Sequence, residues 1–201
     1  SIADVDYLPA LTGNYRAYVV GSVVHADNDN NNDDSVYSYR FEVLEMIDSS
    51  YRDATGDSAW VVLRYRRPDS TSQWSLTAVW SQQENSLGVF RTEENITYQK
   101  LAFPINPSTA WNANAKNTLG EELHYYESIQ QPKTVGGFSF DSTLTVFELD
   151  DDNFVEQRYG REVYAAGIGL VFKQRDELGK RNGVVTTGTS YRMELTGYGR
   201  R

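Results

Sequence analysis

Four oxygen-bearing side chains at alternate positions, Asp27, Asp29, Asn31 and Asp33, imitate the opening of a calcium loop, in which hard oxygen ligands line one turn. The imitation stops at two places. Position six is Asn32, where such a loop needs glycine, and position twelve is Ser38, where it needs a bidentate glutamate. A solvated polar loop with no metal is therefore expected, and the four residues stand as the calcium candidates.

Hydrolytic chemistry finds little support. No G-x-S-x-G nucleophile elbow occurs, and His25 and His124 are the imidazoles available as a base. His25 adjoins the acidic loop, and His124 lies in a strand pattern between Leu123 and Tyr125, so both read as surface or structural histidines. Glycosidases need two carboxylates across a cleft, and Glu121, Glu122 and Glu127 fall near Trp111 and Tyr125. That grouping motivates a carbohydrate-binding or glycoside-hydrolysing module as the alternative reading. Gly167 and Gly169 lack the third glycine, the lysine and the helix of a phosphate loop. No catalytic residue and no cofactor are expected.

The stretch most suited to binding is residues 103–120, the longest without a strand pattern. It joins Trp111 to the amides of Asn112, Asn114 and Asn117, a stacking surface with hydrogen-bonding arms. These four are the candidate ligand-binding residues. The preferred reading makes Trp111 a plug for one end of the barrel and the asparagines turn-formers, since a tryptophan buries about 200 Å².

Strands must position these residues. Residues 162–173, EVYAAGIGLVFK, alternate cleanly, with Tyr164, Ala166, Ile168, Leu170 and Phe172 on one face, and are expected to form one central strand. Residues 36–47 and 138–149 each begin with one apolar parity and end with the other, which predicts a bulge or corner in both. Gly136-Gly137 reads as a two-residue hairpin turn, and 179–183 as another turn. Trp60, Trp74 and Trp80 are expected to line the core or barrel. Arg64 and Arg66 are expected to face solvent, and residues 108–117 to hold one short helical turn.

With about eleven or twelve strands, the expected fold class is all-β, a curved antiparallel sheet closing into a barrel or half-barrel, with a two-sheet sandwich as the alternative. The chain, residues 1–201, reads as a single β-rich domain. Aromatics at 13% and hydrophobics at 39% are enough for a core. The net charge of −9 disfavours nucleic acid and anionic lipid surfaces as partners. With no cysteine, disulfides and thiolate chemistry are excluded within the sequence. No apolar run approaches the roughly 18 residues of a membrane-spanning helix.

Two patches resemble a group of uncharacterised bacterial envelope proteins, many of them lipid-anchored. One is Tyr7-Leu8-Pro9 with Gly13-Asn14-Tyr15 and Tyr18; the other is Tyr159-Gly160, Glu162, Tyr164-Ala165 and residues 167–171, GIGLV. Trp111 and residues 117–121 form a weaker middle anchor. The resemblance implies an extracytoplasmic, lipoprotein-like chain, anchored to the membrane, if at all, through lipid upstream of Ser1, and it implies no activity. A non-enzymatic envelope protein is the expected function. Its expected partner is a small apolar ligand, a glycan or an envelope protein, bound through the open end and long loops.

Overall fold

The computed structural model describes residues 2–27, 35–54 and 56–201. Twelve antiparallel strands form one sheet: β1 (Asn14–Ala26), β2 (Ser35–Arg52), β3 (Ser58–Arg67), β4 (Ser75–Asn85), β5 (Gly88–Glu93), β6 (Ile96–Ala102), β7 (Ala110–Asn112), β8 (Leu123–Val135), β9 (Phe138–Asp152), β10 (Glu156–Ala165), β11 (Gly169–Arg181) and β12 (Val184–Arg200). Chain neighbours pair throughout, and β1 pairs with β12, so the order runs from β6 through β1 and β12 to β7. The result is a barrel closed everywhere but at one seam, between β6 and β7. The sandwich alternative is not formed.

No strand ladder seals the seam, yet the edge of β6 is not bare. Gln99 donates its amide to the Ala113 carbonyl at 2.9 Å. The Trp111 indole donates to the Gln99 carbonyl at 2.9 Å, Asn117 to the Thr97 carbonyl at 2.9 Å, and Tyr126 to the Ala102 carbonyl at 2.6 Å. Three side chains and one backbone carbonyl thus satisfy an edge that would otherwise invite pairing with another chain.

Residues 162–173 are not one strand. The chain turns at 166–168, between β10 and β11, and Gly167 and Gly169 take φ of +77° and +107°. The alternation that suggested continuity survives because Tyr164 pairs with Leu170 across the turn and both face inward. The glycines were the signal of the turn: Gly169 is in a left-handed conformation, and a Cβ there would lie 2.4 Å from Arg16 Nη1.

The bulge predicted within 36–47 is absent, whereas β9 is bulged as 138–149 predicted: its register with β10 skips Glu148, between the Leu149–Gly160 and Phe147–Arg161 pairs. In β2 the inward residues are Val43, Glu45 and Ile47, all at most 1% exposed, and the register with β1 runs unbroken. In β9 they are Leu144, Val146 and Glu148. In β2 a buried glutamate continues the inward parity and disguises it as a change, whereas in β9 the buried Glu148 sits at the register break itself. The register shift in β2 falls later, between Ile47 and Ser49.

Connections alternate between two ends. One end, the base, carries 53–57, 86–87, 103–109, 136–137 and 166–168; the other, the rim, carries 68–74, 94–95, 113–122, 153–155 and 182–183. The predicted turns at Gly136-Gly137 and within 179–183 fall where expected. The predicted helical turn at 108–117 does not form: β7 occupies 110–112, and a short 3-10 turn lies instead at Asp4–Tyr7.

That turn stoppers the base. Gly167 donates its amide to the Asp6 carbonyl at 2.8 Å, Ile105 donates to the Asp4 carboxylate at 2.9 Å, and the Tyr7 and Ser142 hydroxyls meet at 2.8 Å. Leu8 follows, 1% exposed, with its carbonyl accepting from Gln82 at 2.8 Å. Above it pack Tyr18, Val20, Leu101, Leu144 and Leu195, none with any exposure. Each such side chain contributes roughly 1.5–3 kcal/mol by leaving water. The barrel is therefore a cup, apolar and stoppered at its base.

Candidate functional site

Above the apolar floor the inner wall becomes charged. Glu45 is 1% exposed and accepts from Arg64 at 2.6 Å and Arg91 at 3.0 Å, with Arg16 4.0 Å away. Arg16, Glu45 and Arg64 are direct cross-strand partners on β1, β2 and β3, so the register itself builds the row. Burial would raise the Glu45 pKa, but Arg91, Arg64 and Arg16 together outweigh it and bring it down to about 2.

Across the lumen, Glu162 is 1% exposed. Lys100 and Lys173 both donate to its Oε1, at 2.7 and 2.8 Å, and the Tyr164 hydroxyl donates to its Oε2. Burial again opposes ionisation, and the two lysines overcome it, holding the carboxyl well below its usual range. Burial pushes the Tyr164 hydroxyl the other way, well above 10, with the Glu162 charge adding to it.

Nearer the rim, Arg175 grips Glu122 with two bonds, at 2.8 and 2.9 Å, and reaches Glu148 at 3.1 Å and Glu177 at 2.7 Å. Glu122 also pairs with His124 Nε2 at 2.8 Å. Burial raises its pKa, but bonding to Arg175 and His124 more than cancels that and leaves it far below the usual range. The buried His124 Nδ1 has no hydrogen-bond partner among the described residues.

Two adjoining cavities occupy this charged zone, of about 310 and 340 Å³, and Glu93, Lys100, Lys173 and Arg175 line both. Leu8 floors the inner one; Asn114 and Leu119, from the rim connection 113–122, edge the outer one. Among the described residues, no group of three or more His, Asp and Glu side chains is placed to hold a metal ion.

The four binding candidates divide between seam and rim. Trp111 is 7% exposed, with its ring against His124 at 5.6 Å and Tyr126 at 4.9 Å. Asn112 accepts from the amides of Asn114 at 2.9 Å and Glu122 at 3.1 Å, and Asn117 bonds across the seam. Asn114 donates to the Gly120 carbonyl at 2.7 Å and faces the outer cavity. Of the calcium candidates, Asp29, Asn31 and Asp33 lie outside the described residues, and Asp27 accepts from Arg181 at 2.6 Å.

Other expectations need correcting. Arg64 does not face solvent: it points into the lumen, 17% exposed and ion-paired. Arg66 is exposed, with its guanidinium over Phe41 at 3.7 Å. Trp80 lines the inner cavity, whereas Trp74 precedes β4 and packs under Arg67 at 4.3 Å. The grouped glutamates are split: Glu122 is inside, and Glu127 is outside, bonded to Arg161 at 3.0 and 3.1 Å.

No protein-family model and no curated protein matches the chain. Among solved structures, the chain is similar to a protein from Parabacteroides distasonis ATCC 8503 described as a putative lipoprotein. The match has a TM-score of 0.50 at 10% identity and covers 96% of this chain and 98% of that one. At that identity the likeness is one of fold, and it extends over nearly the whole of both chains.

Proposed function

We propose that this chain is a bacterial cell-envelope protein that takes a small ligand into its cup through the rim and performs no chemistry on it. The observation that carries the reading is the pair of adjoining cavities, walled by ionised side chains and floored by Leu8. Their size suits a small molecule, and a concave site with a few convergent polar groups is the usual form of one. The extracytoplasmic placement is supported by the fold shared with the Parabacteroides distasonis protein and by the resemblance at the two ends of the sequence.

Native mass spectrometry of protein isolated from its own host tests the reading. A retained non-covalent mass, released when the protein unfolds, is the expected result. An empty chain recovered under gentle conditions would contradict it. Recovery from the cytoplasmic fraction would contradict the envelope placement alone.

A further inference from the structure

The wall of the inner cavity presents cations and hides acids. Glu45 and Glu162 are each 1% exposed, while Arg64, Lys100 and Lys173, standing in front of them, are 17%, 12% and 27% exposed. Five cations, Arg64, Arg91, Lys100, Lys173 and Arg175, line this cavity against the three carboxylates Glu45, Glu93 and Glu162. Arg175 is taken up by Glu122, Glu148 and Glu177, and the other four cations still outnumber the three carboxylates, in a chain whose net charge is −9. Lys100 and Lys173 each give one ammonium hydrogen to the same Glu162 oxygen. An ammonium has three, so the pair keeps hydrogens for a further acceptor. Leu8, Tyr164, Leu170, Met193, Trp80 and Tyr191 supply the rest of the wall.

We propose that the inner cavity binds a small organic oxyanion, a carboxylate or phosphate on an apolar or aromatic body, with the oxyanion between Lys100 and Lys173 and the body against Trp80 and Tyr191. This rests on the reading of the cup as a ligand site. A charged donor pair bonds an oxyanion more strongly than a neutral acceptor, and a partly enclosed wall strengthens the attraction. The outer cavity sets a limit. There Glu93, Glu122, Glu148 and Glu177 oppose Lys100, Lys173 and Arg175, so the end of the ligand that reaches the rim carries no negative charge.

Calorimetric titration of the full chain with benzoate, phenyl phosphate and neutral benzamide tests the proposal. Saturable binding of benzoate or phenyl phosphate is expected, weakened by added salt, with the preferred probe distinguishing carboxylate from phosphate. Lys173→Met and Lys100→Met should each weaken it about tenfold. Lys180→Met, at the rim beside Asp152, should leave it unchanged. Both test variants keep one lysine and Tyr164 on Glu162, and melting curves establish that they fold. In Glu162→Gln the ammonium pair loses its counter-charge, so the anion should raise the melting temperature more than in the parent. Equal binding of benzamide, unchanged binding by the lysine variants, or no binding of either anion at millimolar concentration would overturn the proposal. A neutral ligand retained from the host would overturn it too while leaving the cup reading intact.

Discussion

Tyr126 and Ala102 exchange two hydrogen bonds across the one seam of the barrel: the hydroxyl donates to the carbonyl at 2.6 Å and accepts from the amide at 3.0 Å. A single side chain does there what a residue pair does in a strand ladder. Because β6 has no strand beyond it, this exchange, with Trp111, Asn117 and Ala113, is what closes the cup.

Tyr126→Phe should therefore destabilise more than the loss of an ordinary surface hydroxyl. Two backbone groups of Ala102 lose their partner in a buried setting, a cost of about 1–3 kcal/mol. Amide hydrogen exchange would show the effect as faster exchange at Ala102 and Gln99, with β1 and β12 unchanged. Uniform acceleration over all strands would mean that the seam does not open on its own.

Glu45→Gln should be among the most damaging single substitutions. It leaves Arg64 and Arg91 facing a neutral group in the wall, and breaking a buried pair costs about 3–5 kcal/mol. The denaturant midpoint measures it. A loss below about 1 kcal/mol would mean that the arginines find water, as exposed pairs do.

Stability should fall in acid, and the sign follows from the direction of the shifts. The Glu45 pKa is lowered from 4.5 to about 2, and those of Glu122 and Glu162 are lowered as well. The unfolded chain thus takes up protons that the native chain refuses. The contribution is complete above 4.5 and is lost as pH falls through about 2. Glu45 alone accounts for roughly 3 kcal/mol. Urea midpoints measured from neutral pH downward should hold steady and then drop below 4.5. A flat profile to pH near 3 would contradict the assignment.

The sequence made the strands legible, but not what faces inward. Most strands announce themselves by alternation and turn residues, although β7 lies in the stretch without a strand pattern and β10 and β11 read as one, and the turns at Gly136-Gly137 and before Val184 read correctly. The errors cluster on ionised residues. Glu45 looks like an interruption, Arg64 looks solvent-facing, and each is a lumen residue whose charge is neutralised by a partner distant in sequence or on another strand. Lys100, Glu162 and Lys173 were missed for the same reason, since nothing local tells a paired charge from a solvated one. One signal existed: Glu45 falls on the buried parity of its own strand.

The hairpin at 166–168 offers a sharper test of backbone than of chemistry. Gly169→Ala forces a side chain onto φ of +107° and against Arg16 Nη1, which donates to the Ile168 carbonyl at 2.9 Å. A loss of at least about 1 kcal/mol is expected. Alanine at Gly21, where a Cβ meets nothing within 4 Å, is the control and should change stability little.

The density inside the cup of protein crystallised directly from its own host tests the central claim most directly. The account predicts a non-protein feature in the cavity between Glu162 and Trp80, within hydrogen-bond distance of both Lys100 and Lys173. A cup holding ordered water alone, with both ammoniums satisfied by Glu162 and solvent, would contradict it.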